Sequence, residues 1–128
     1  MNIPEELKYT KEHTWLKIEG NLIVLGITDY AQDLLGEINC VDLPEKGEVI
    51  NKDEAIATIE SQKSVFDVLS PLKGEIFDLN NKLTQKPNLI NSNPYEDGWL
   101  VKLKISGDIA LKDILTHTEY NNLISGAT

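Results

Sequence analysis

The sequence contains few of the residues from which most metal-binding and redox sites are built. Among its 128 residues are one cysteine, two histidines and one methionine. The single cysteine, Cys40, excludes an internal disulfide, a Cys-x-x-Cys redox pair and a cysteine-based zinc framework. His13 and His117 lie far apart in sequence, and neither stands in a metal-ligand pattern. Because Cys40 lies in a strand-like stretch, we expect a core or half-buried thiol.

Basic residues and long apolar runs are also scarce. Twelve Lys and Arg residues against 21 Asp and Glu residues give a formal net charge of −9. Such a surface repels phosphate, which argues against nucleic acid as a partner and favours partners with basic docking faces. No apolar run approaches the ~18 residues that a membrane span requires.

The first residues, Met1 to Leu7, lack the basic and apolar regions of a signal peptide and the Arg- and Ser-rich character of a transit peptide. We therefore expect a cytoplasmic protein of bacterial type with no membrane partner. A location in the mitochondrial matrix applies only if a transit peptide has been removed.

The motifs of common enzyme classes are missing as well. The sequence has no Gly-x-Ser-x-Gly, no phosphate-binding Gly-rich loop and no His-Glu-x-x-His. Acidic pairs such as Glu5-Glu6 and Asp53-Glu54 are typical of a solvated surface. We therefore predict a carrier or binding module, not an enzyme.

Short segments of alternating or β-branched residues fill most of the chain and predict strands. The predicted strands cover residues 15–18, 22–27, 37–43, 55–60, 65–69, 75–80 and 99–105. Their shortness, and the Gly and Pro turns between them, favour a sandwich or a flattened barrel. In the first strand, Trp15 and Lys17 are predicted to share one face, and Leu16 and Ile18 the other.

Helices are predicted at the periphery and at the end. Thr28 or Asp29 can cap a short helix over 30–35, and Gly36 suits its C-terminal end. Residues 81–93 predict an irregular loop with a helical turn near 87–91. A change of apolar period predicts a C-terminal helical segment over about 108–124, with Ile109, Leu111, Ile114 and Leu115 on one face and Thr118 as a second cap. We expect a single domain over 1–128, with a core of about 9–105.

Lys63 lies between two of the predicted strands, 55–60 and 65–69, in a tight polar connection. This pattern predicts a hairpin with Lys63 at its tip, flanked by small polar residues that leave the amine accessible. A lysine in a turn usually serves solubility. The same geometry, however, presents one amine to a modifying enzyme.

The order and spacing of several segments closely resemble the H protein of the glycine cleavage system. The matching segments are residues 26–32, 35–38, 44–47, 60–65 with Asp67, 70–75 with Asn80, 93–95 and 98–100. Each piece alone is weak, but together they are specific. The resemblance extends from about Tyr9 to Leu123.

This resemblance implies a lipoyl/biotinyl-type flattened β-barrel, also called a barrel-sandwich hybrid, with one lipoate attached to Lys63 as an amide. It implies a non-catalytic shuttle for the aminomethyl group of glycine. The donor would be the P protein (glycine decarboxylase) and the acceptor the T protein (aminomethyltransferase). The L protein (dihydrolipoamide dehydrogenase) would reoxidise the arm, and a lipoate ligase or octanoyltransferase would load it.

One departure from the family concerns the place where the loaded arm rests. Relatives often carry His-Glu-Trp, and the resemblance implies that this glutamate faces the arm. Here the motif is His13-Thr14-Trp15. On an extended strand Glu12 would share the face of Thr14 and could replace the carboxylate. Glu12, Thr14 and Asp67, which lies four residues after Lys63, are the candidates for contact with the arm. Trp15, Tyr95 and Trp99 are interpreted as structural anchors.

Other carriers share the hairpin architecture. A biotin carrier typically presents Met-Lys-Met, but Met1 is the only methionine here. The lipoyl domain of a 2-oxoacid dehydrogenase typically presents Asp-Lys-Ala and lacks the region from Asn93 to Trp99. Two further alternatives stay open at this point: a lipoyl or octanoyl relay scaffold in lipoate metabolism, and an unmodified β-sandwich interaction protein.

Overall fold

The computed structural model describes residues 1–107 and 112–126 of the chain. Within these residues the chain forms short strands, three α-helices and one 3₁₀-helix. The strands are β1 (Lys8–Tyr9), β2 (Thr14–Glu19), β3 (Leu22–Ile27), β4 (Ile38–Asp42), β5 (Val49–Ile50), β6 (Ala55–Ser61), β7 (Val65–Leu69), β8 (Gly74–Leu79) and β9 (Val101–Lys104). The helices are α1 (Asp29–Leu35), the 3₁₀-helix (Asn81–Thr84), α2 (Leu89–Ser92) and α3 (His117–Ile124).

Two antiparallel sheets make up the body of the molecule. One has the strand order β1-β2-β3-β9-β8-β5, and the other has the order β4-β6-β7. Their facing sides contribute to one apolar cluster, called the inner core. The predicted fold class is confirmed: the molecule is mainly β, with two sheets packed in a flattened barrel-sandwich.

The inner core follows the two-residue period of the strands. From the larger sheet it receives Leu16, Ile23 and Leu25, and from the smaller sheet Ile59 and Val68, all fully buried. Burying a side chain of this size stabilises the fold by about 1.5–3 kcal/mol. The hairpin β6-β7 therefore has one face fixed in the core and the other in solvent.

A second apolar cluster, called the outer cluster, covers the opposite face of the larger sheet. Its buried members are Ile3, Leu7, Tyr9, Trp15, Val24 and Tyr120. The sequence correctly placed Trp15 and Leu16 on opposite faces of β2, but both faces are buried there. The N-terminal segment and α3 lie over the Trp15 face.

The close contact between Trp15 and its cross-strand partner Gly26 depends on the absence of a side chain at Gly26. A Cβ at that position would lie 2.6 Å from three atoms of the Trp15 indole. The indole Nε1 donates a hydrogen bond of 2.9 Å to the carbonyl of Pro94. Trp15 thus anchors the Pro94 loop to the sheet, as predicted.

Helix α1 agrees with the sequence prediction. Thr28 caps its first turn by accepting a hydrogen bond from the Ala31 amide, and Gly36 stands at its C-terminal cap with φ +77°. The loop after β8 is more helical than predicted, because the 3₁₀-helix and α2 bury Leu83 and Ile90 in the inner core.

The C-terminal prediction was partly wrong. Residues 108–111 lie outside the described residues, and the chain from 112 to 116 is not helical. Leu115 exchanges two backbone hydrogen bonds with Tyr9, at 2.9 and 2.7 Å, as an extra bridge on the sheet edge. Helix α3 therefore begins only at His117. Its cap is Thr116, not Thr118, because Thr116 and Glu119 form a reciprocal capping box.

The prediction for Cys40 was also wrong, since its thiol is exposed. A β-bulge between Ile38 and Cys40 inserts an extra residue into β4. The inward positions of β4 are consequently Ile38 and Val41, and Cys40 faces solvent. None of the described helices is long and apolar enough to cross a bilayer.

Candidate functional site

Lys63 stands at the tip of the β6-β7 hairpin, in a turn held by Ser61. The Ser61 amide donates to the carbonyl of Ser64 at 3.0 Å. The Ser61 hydroxyl accepts from the amides of Lys63 and Ser64, both at 3.3 Å. These contacts satisfy the amides of Ser61, Lys63 and Ser64, and the side chains of Gln62, Lys63 and Ser64 are all exposed.

The Lys63 side chain lies against the backbone of Gly36, and its amine has no ion-pair partner among the described residues. A Cβ at Gly36 would lie 3.5 Å from Lys63 Cε and 3.7 Å from Nζ. The aliphatic stem is thus supported by main chain while the amine is left free. No buried charge would be lost if this amine were converted to an amide.

Asn91 holds the support beneath Lys63 in place. Its Nδ2 donates to the Gly36 carbonyl at 2.8 Å and to Gln32 Oε1 at 2.9 Å. Its Oδ1 accepts from the Ile38 amide at 2.9 Å. One side chain therefore joins α1, α2 and β4 directly below the lysine. The predicted helical turn did not indicate this role, because the partners lie more than 50 residues away in sequence.

Asp67 lies on the solvent face of β7, four residues after Lys63 in sequence. It accepts a hydrogen bond of 3.0 Å from Thr58 Oγ1, its cross-strand neighbour. Val65, Asp67 and Leu69 follow one another along this face. The face leads from the hairpin tip toward its base.

Thr14 and Glu12 do not occupy the positions that an extended strand would give them. Residues 11–13 form a turn, in which His13 has a φ of +72°, and β2 begins only at Thr14. The turn is closed by a hydrogen bond from the His13 amide to the Thr10 carbonyl and by one from the Thr10 amide to the Thr14 carbonyl. The prediction that Glu12 and Thr14 share a strand face was therefore wrong.

Thr14 is fully buried, with 0% exposure, and its hydroxyl has no hydrogen-bond partner among the described residues. Its side chain lies on the same side of β2 as Leu16, toward the inner core. Glu12 is half-buried and lines a surface cavity of about 160 Å³ at the base of the hairpin. That cavity is lined by Thr10, Lys11, Glu12, Lys52, Asp53, Leu69, Ser70, Pro71, Asp113 and Ile114.

An ion pair stands at the wall of this cavity. Lys52 Nζ lies 2.6 Å from Asp113 Oδ2. Their hydrogen bond raises the pKa of Lys52 and lowers the pKa of Asp113. Both side chains are exposed, so the pair contributes little to stability. It does join the residues before β6 to the segment before α3.

His13 belongs to a hydrogen-bond chain that sequence reasoning missed. Its Nδ1 lies 2.8 Å from the hydroxyl of Tyr120, which lies 2.7 Å from Thr28 Oγ1, the cap of α1. Burial lowers the pKa of His13, an effect that Glu12 opposes. Burial also raises the pKa of Tyr120 to about 12. A positive φ at a non-glycine residue carries no sequence signal, so the link from α3 to α1 could not be predicted.

Tyr95 and Trp99 are structural anchors, as predicted. The hydroxyl of Tyr95 donates to the Asn2 carbonyl at 2.6 Å and accepts from the Asp29 amide at 2.9 Å. Trp99 packs on the outer cluster, with Lys102 Nζ 5.4 Å from its ring centroid. Among residues 1–107 and 112–126, no group of three His, Cys, Asp or Glu side chains is arranged to hold a metal ion.

Comparisons with known proteins agree with this geometry over nearly the whole chain. The family described as Glycine cleavage H-protein matches residues 7–126. A glycine cleavage system H protein of Bacteroides thetaiotaomicron is 44% identical over 98% of this chain and 100% of its own length. That of Staphylococcus carnosus is 41% identical over 97% of this chain and 98% of its own.

A solved structure extends the comparison to three dimensions. The crystal structure of a glycine cleavage system H protein from Mycobacterium marinum has a TM-score of 0.87 at 32% identity, covering 96% of this chain and 99% of that one. The two chains therefore share the same overall fold. On the family match and on these identities, the chain belongs to the glycine cleavage H-protein family.

Proposed function

We propose that this chain is the lipoyl carrier of a glycine cleavage system, that it acts as one domain, and that Lys63 is its attachment site. The observation that carries the proposal is the Lys63 amine, which is exposed at a hydrogen-bonded hairpin tip and free of any ion pair among the described residues. Membership of the H-protein family supplies the system in which it works.

The residues around Lys63 fit a covalently attached lipoate. Attachment through an amide at Nζ needs an accessible amine, a structural support beneath the lysine and space for the arm. Ser61 and the backbone of Gly36 supply the support, and the solvent face of β7 supplies the space. When attached, the lipoyl group supplies the sulfur chemistry that carries the aminomethyl unit, while the protein holds and presents it.

The attachment step consumes an activated acyl group. The uncharged Lys63 amine attacks the carbonyl carbon of an acyl-adenylate or acyl thioester, forming a C–N bond. The bond from that carbon to AMP or to the carrier thiol breaks, and the leaving group takes the electron pair. The nitrogen then loses a proton. A lipoate ligase or an octanoyltransferase would supply the donor.

The partners of the loaded chain follow from the proposed role. The P protein would load the aminomethyl group, the T protein would remove it, and the L protein would reoxidise the arm. This chain itself would act as a non-catalytic subunit. We also propose that it works in the cytoplasm, as the bacterial origin of its relatives suggests.

The resting place of the loaded arm is proposed on the face that runs from Lys63 to the Glu12 cavity. Asp67 lies on this face, and Leu69, two residues further along β7, lines the cavity together with Glu12. We propose Asp67 and Glu12 as the carboxylates that face an amine on the arm. Thr14, fully buried, would contribute through its unpartnered hydroxyl only if the turn of residues 11–13 opened.

The attachment site is tested by intact-mass analysis. After incubation with lipoate, ATP and a lipoate ligase, the wild type is expected to gain one lipoyl adduct. Lys63→Arg, which keeps the charge but not the amine chemistry, is expected to gain none. An unmodified wild type, or an adduct that persists in Lys63→Arg, would contradict the proposed site.

The metabolic role is tested separately. The lipoylated protein, mixed with P protein, is expected to support glycine-dependent exchange of labelled bicarbonate into glycine. Absence of exchange by a fully lipoylated protein would contradict the glycine cleavage role and favour a relay function in lipoate metabolism. Unmodified Lys63→Arg serves as the negative control.

A further inference from the structure

The cavity beside Glu12 carries charges of both signs. Its charged lining residues are Lys11, Glu12, Lys52, Asp53 and Asp113. Lys52 and Asp113 neutralise each other through their ion pair of 2.6 Å. The other three form no salt bridge among the described residues. The cavity thus keeps one cation and two carboxylates whose charges the described part of the fold does not use.

These charges act on the same small space. The pKa of Lys52 is raised first by its hydrogen bond with Asp113, and the carboxylates of Asp53 and Glu12 act in the same direction. The pKa of Asp113 is lowered chiefly by the hydrogen bond with Lys52 and further by Lys11. An ammonium of the chain itself therefore already lies among the carboxylates of this cavity.

The backbone around the cavity adopts an uncommon conformation in two places. Among the described residues, only His13 and Asp53 have a positive φ without being glycine, at +72° and +69°. Asp53 lines the cavity, and His13 directly follows Glu12, which also lines it. Such conformations are rare outside glycine and cluster at sites that bind ligands.

Main-chain hydrogen bonds hold both turns that carry these charges. The Asp53 amide donates to the Ser70 carbonyl, and the Ser70 amide donates to the Glu54 carbonyl, both at 2.8 Å. On the other wall, the Thr14 amide donates to Thr10 Oγ1 at 3.2 Å. The walls are fixed by the backbone, so the charged ends of the side chains stay available to a ligand. The apolar part of the lining is Leu69, Pro71 and Ile114.

We propose that this cavity binds a small free α-amino acid, with its ammonium on Glu12 and Asp53 and its carboxylate on Lys11. A simple anion would meet only the lysine, and a simple amine only the carboxylates, whereas a zwitterion satisfies both with charge-assisted hydrogen bonds. The volume of about 160 Å³ suits a molecule of a few non-hydrogen atoms.

The bound amino acid would regulate the carrier by competition. This consequence rests on the proposed function, because Glu12 is also the proposed partner of the amine on the loaded arm. An amino acid on Glu12 would keep the end of the arm out of the cavity. The time that the arm spends at rest would then depend on the supply of free amino acid.

The site is tested by NMR titration of the unmodified, nitrogen-15-labelled protein with glycine and with alanine at pH 7 and constant ionic strength. We expect saturable shifts of amides within residues 10–14, 51–54, 69–70 and 113–114, with a Kd on the order of 1–10 mM, as for a ligand with few contacts. Glycinamide lacks the carboxylate and acetate lacks the ammonium, so each should bind at least tenfold more weakly. Absence of saturable shifts with both amino acids, or equal binding of glycine and glycinamide, would overturn the zwitterion site.

The assignment of the two charges is tested by substitution. Glu12→Gln and Lys11→Gln are each expected to weaken glycine binding about tenfold, since each removes one charge-assisted contact. The matched controls are Glu19→Gln and Lys17→Gln, the same charge changes at exposed positions on β2, and they should leave the Kd unchanged. The same spectra report whether each variant is folded. Equal Kd values in the cavity variants and the controls would contradict the assignment.

The competition is tested with the loaded carrier. Lipoylated protein that has received the aminomethyl group, and has been freed of P protein and glycine, is expected to bind alanine at least tenfold more weakly than the unmodified protein. An unchanged alanine affinity would overturn the competition. Failure of lipoylation at Lys63 would instead contradict the proposed function, while the glycine titration of the unmodified protein still decides the site.

Discussion

At the scale of single residues, the site depends on what Lys63 does not contact. Ser61 orders the turn, Gly36 supports the stem, and the amine itself is unpaired within the described part of the chain. Spacing was sufficient to predict the position of Lys63, because a turn between two alternating strands is a local pattern. The positions of Glu12 and Thr14 were not predictable, because they depend on a left-handed residue at His13.

Replacement of Gly26 by Ala tests the contact with Trp15. The added Cβ would approach the indole to 2.6 Å, so we expect the free energy of unfolding to fall by about 1–3 kcal/mol, as for overpacked cores. Urea denaturation measures this change. The nearest indole atoms are absent from phenylalanine, so Trp15→Phe combined with Gly26→Ala should cost less than the sum of the two single changes. Strict additivity would show that the clash is relieved elsewhere.

The His13 substitution tests the hydrogen-bond chain through its pH dependence. Burial holds the pKa of the folded histidine below the value near 6.5 of an unfolded chain. The unfolded state therefore binds the proton first, and this contribution to stability is full above about pH 6.5 and is lost as the pH falls. Tyr30, Tyr120 and Glu12 are the titratable neighbours.

His13→Asn tolerates the positive φ but removes the titration. At pH 7.5 we expect the variant to be less stable than the wild type by about 1 kcal/mol, for the lost hydrogen bond to Tyr120. At pH 5.5 the difference should be smaller, because only the wild type carries the cost of a buried histidine. Urea unfolding at both pH values measures it. A difference that grows on acidification would contradict the neutral, buried histidine.

At the scale of elements, the strands and α1 were predictable and the C-terminal segment was not. Alternation and caps are local, so β6, β7 and the Thr28 cap of α1 agree with prediction. The bulge that exposes Cys40 and the bridge between Leu115 and Tyr9 depend on partners distant in sequence. Local periodicity cannot reveal such pairings, and it therefore predicted a buried thiol and an earlier helix.

Helix α3 offers a test of which threonine begins it. Thr116→Ala removes the capping box with Glu119, and we expect the free energy of unfolding to fall by about 1 kcal/mol. Thr118→Ala, two residues later and exposed inside the helix, is the matched control and should have little effect. Thermal denaturation compares the two. A larger loss for Thr118→Ala would mean that the helix begins later than the structure shows.

At the scale of the whole molecule, charge and modification are connected. Amide formation at Lys63 removes one positive charge, which takes the formal net charge from −9 to −10. Since no ion pair of Lys63 is broken among the described residues, we expect the melting temperature to be the same before and after lipoylation. Differential scanning fluorimetry measures this, and anion-exchange chromatography should resolve the two forms. A clear fall in melting temperature on modification would show that the free amine stabilises the fold.

The two apolar clusters also set an order of assembly during synthesis. Every buried member of the inner core, as far as Ile105, is made before Tyr120, which completes the outer cluster. The whole β6-β7 hairpin and the strands that support it are therefore synthesised before α3. The modifiable lysine can be in place on a nascent chain, and the last helix then joins β1 to α1 through Tyr120 and His13.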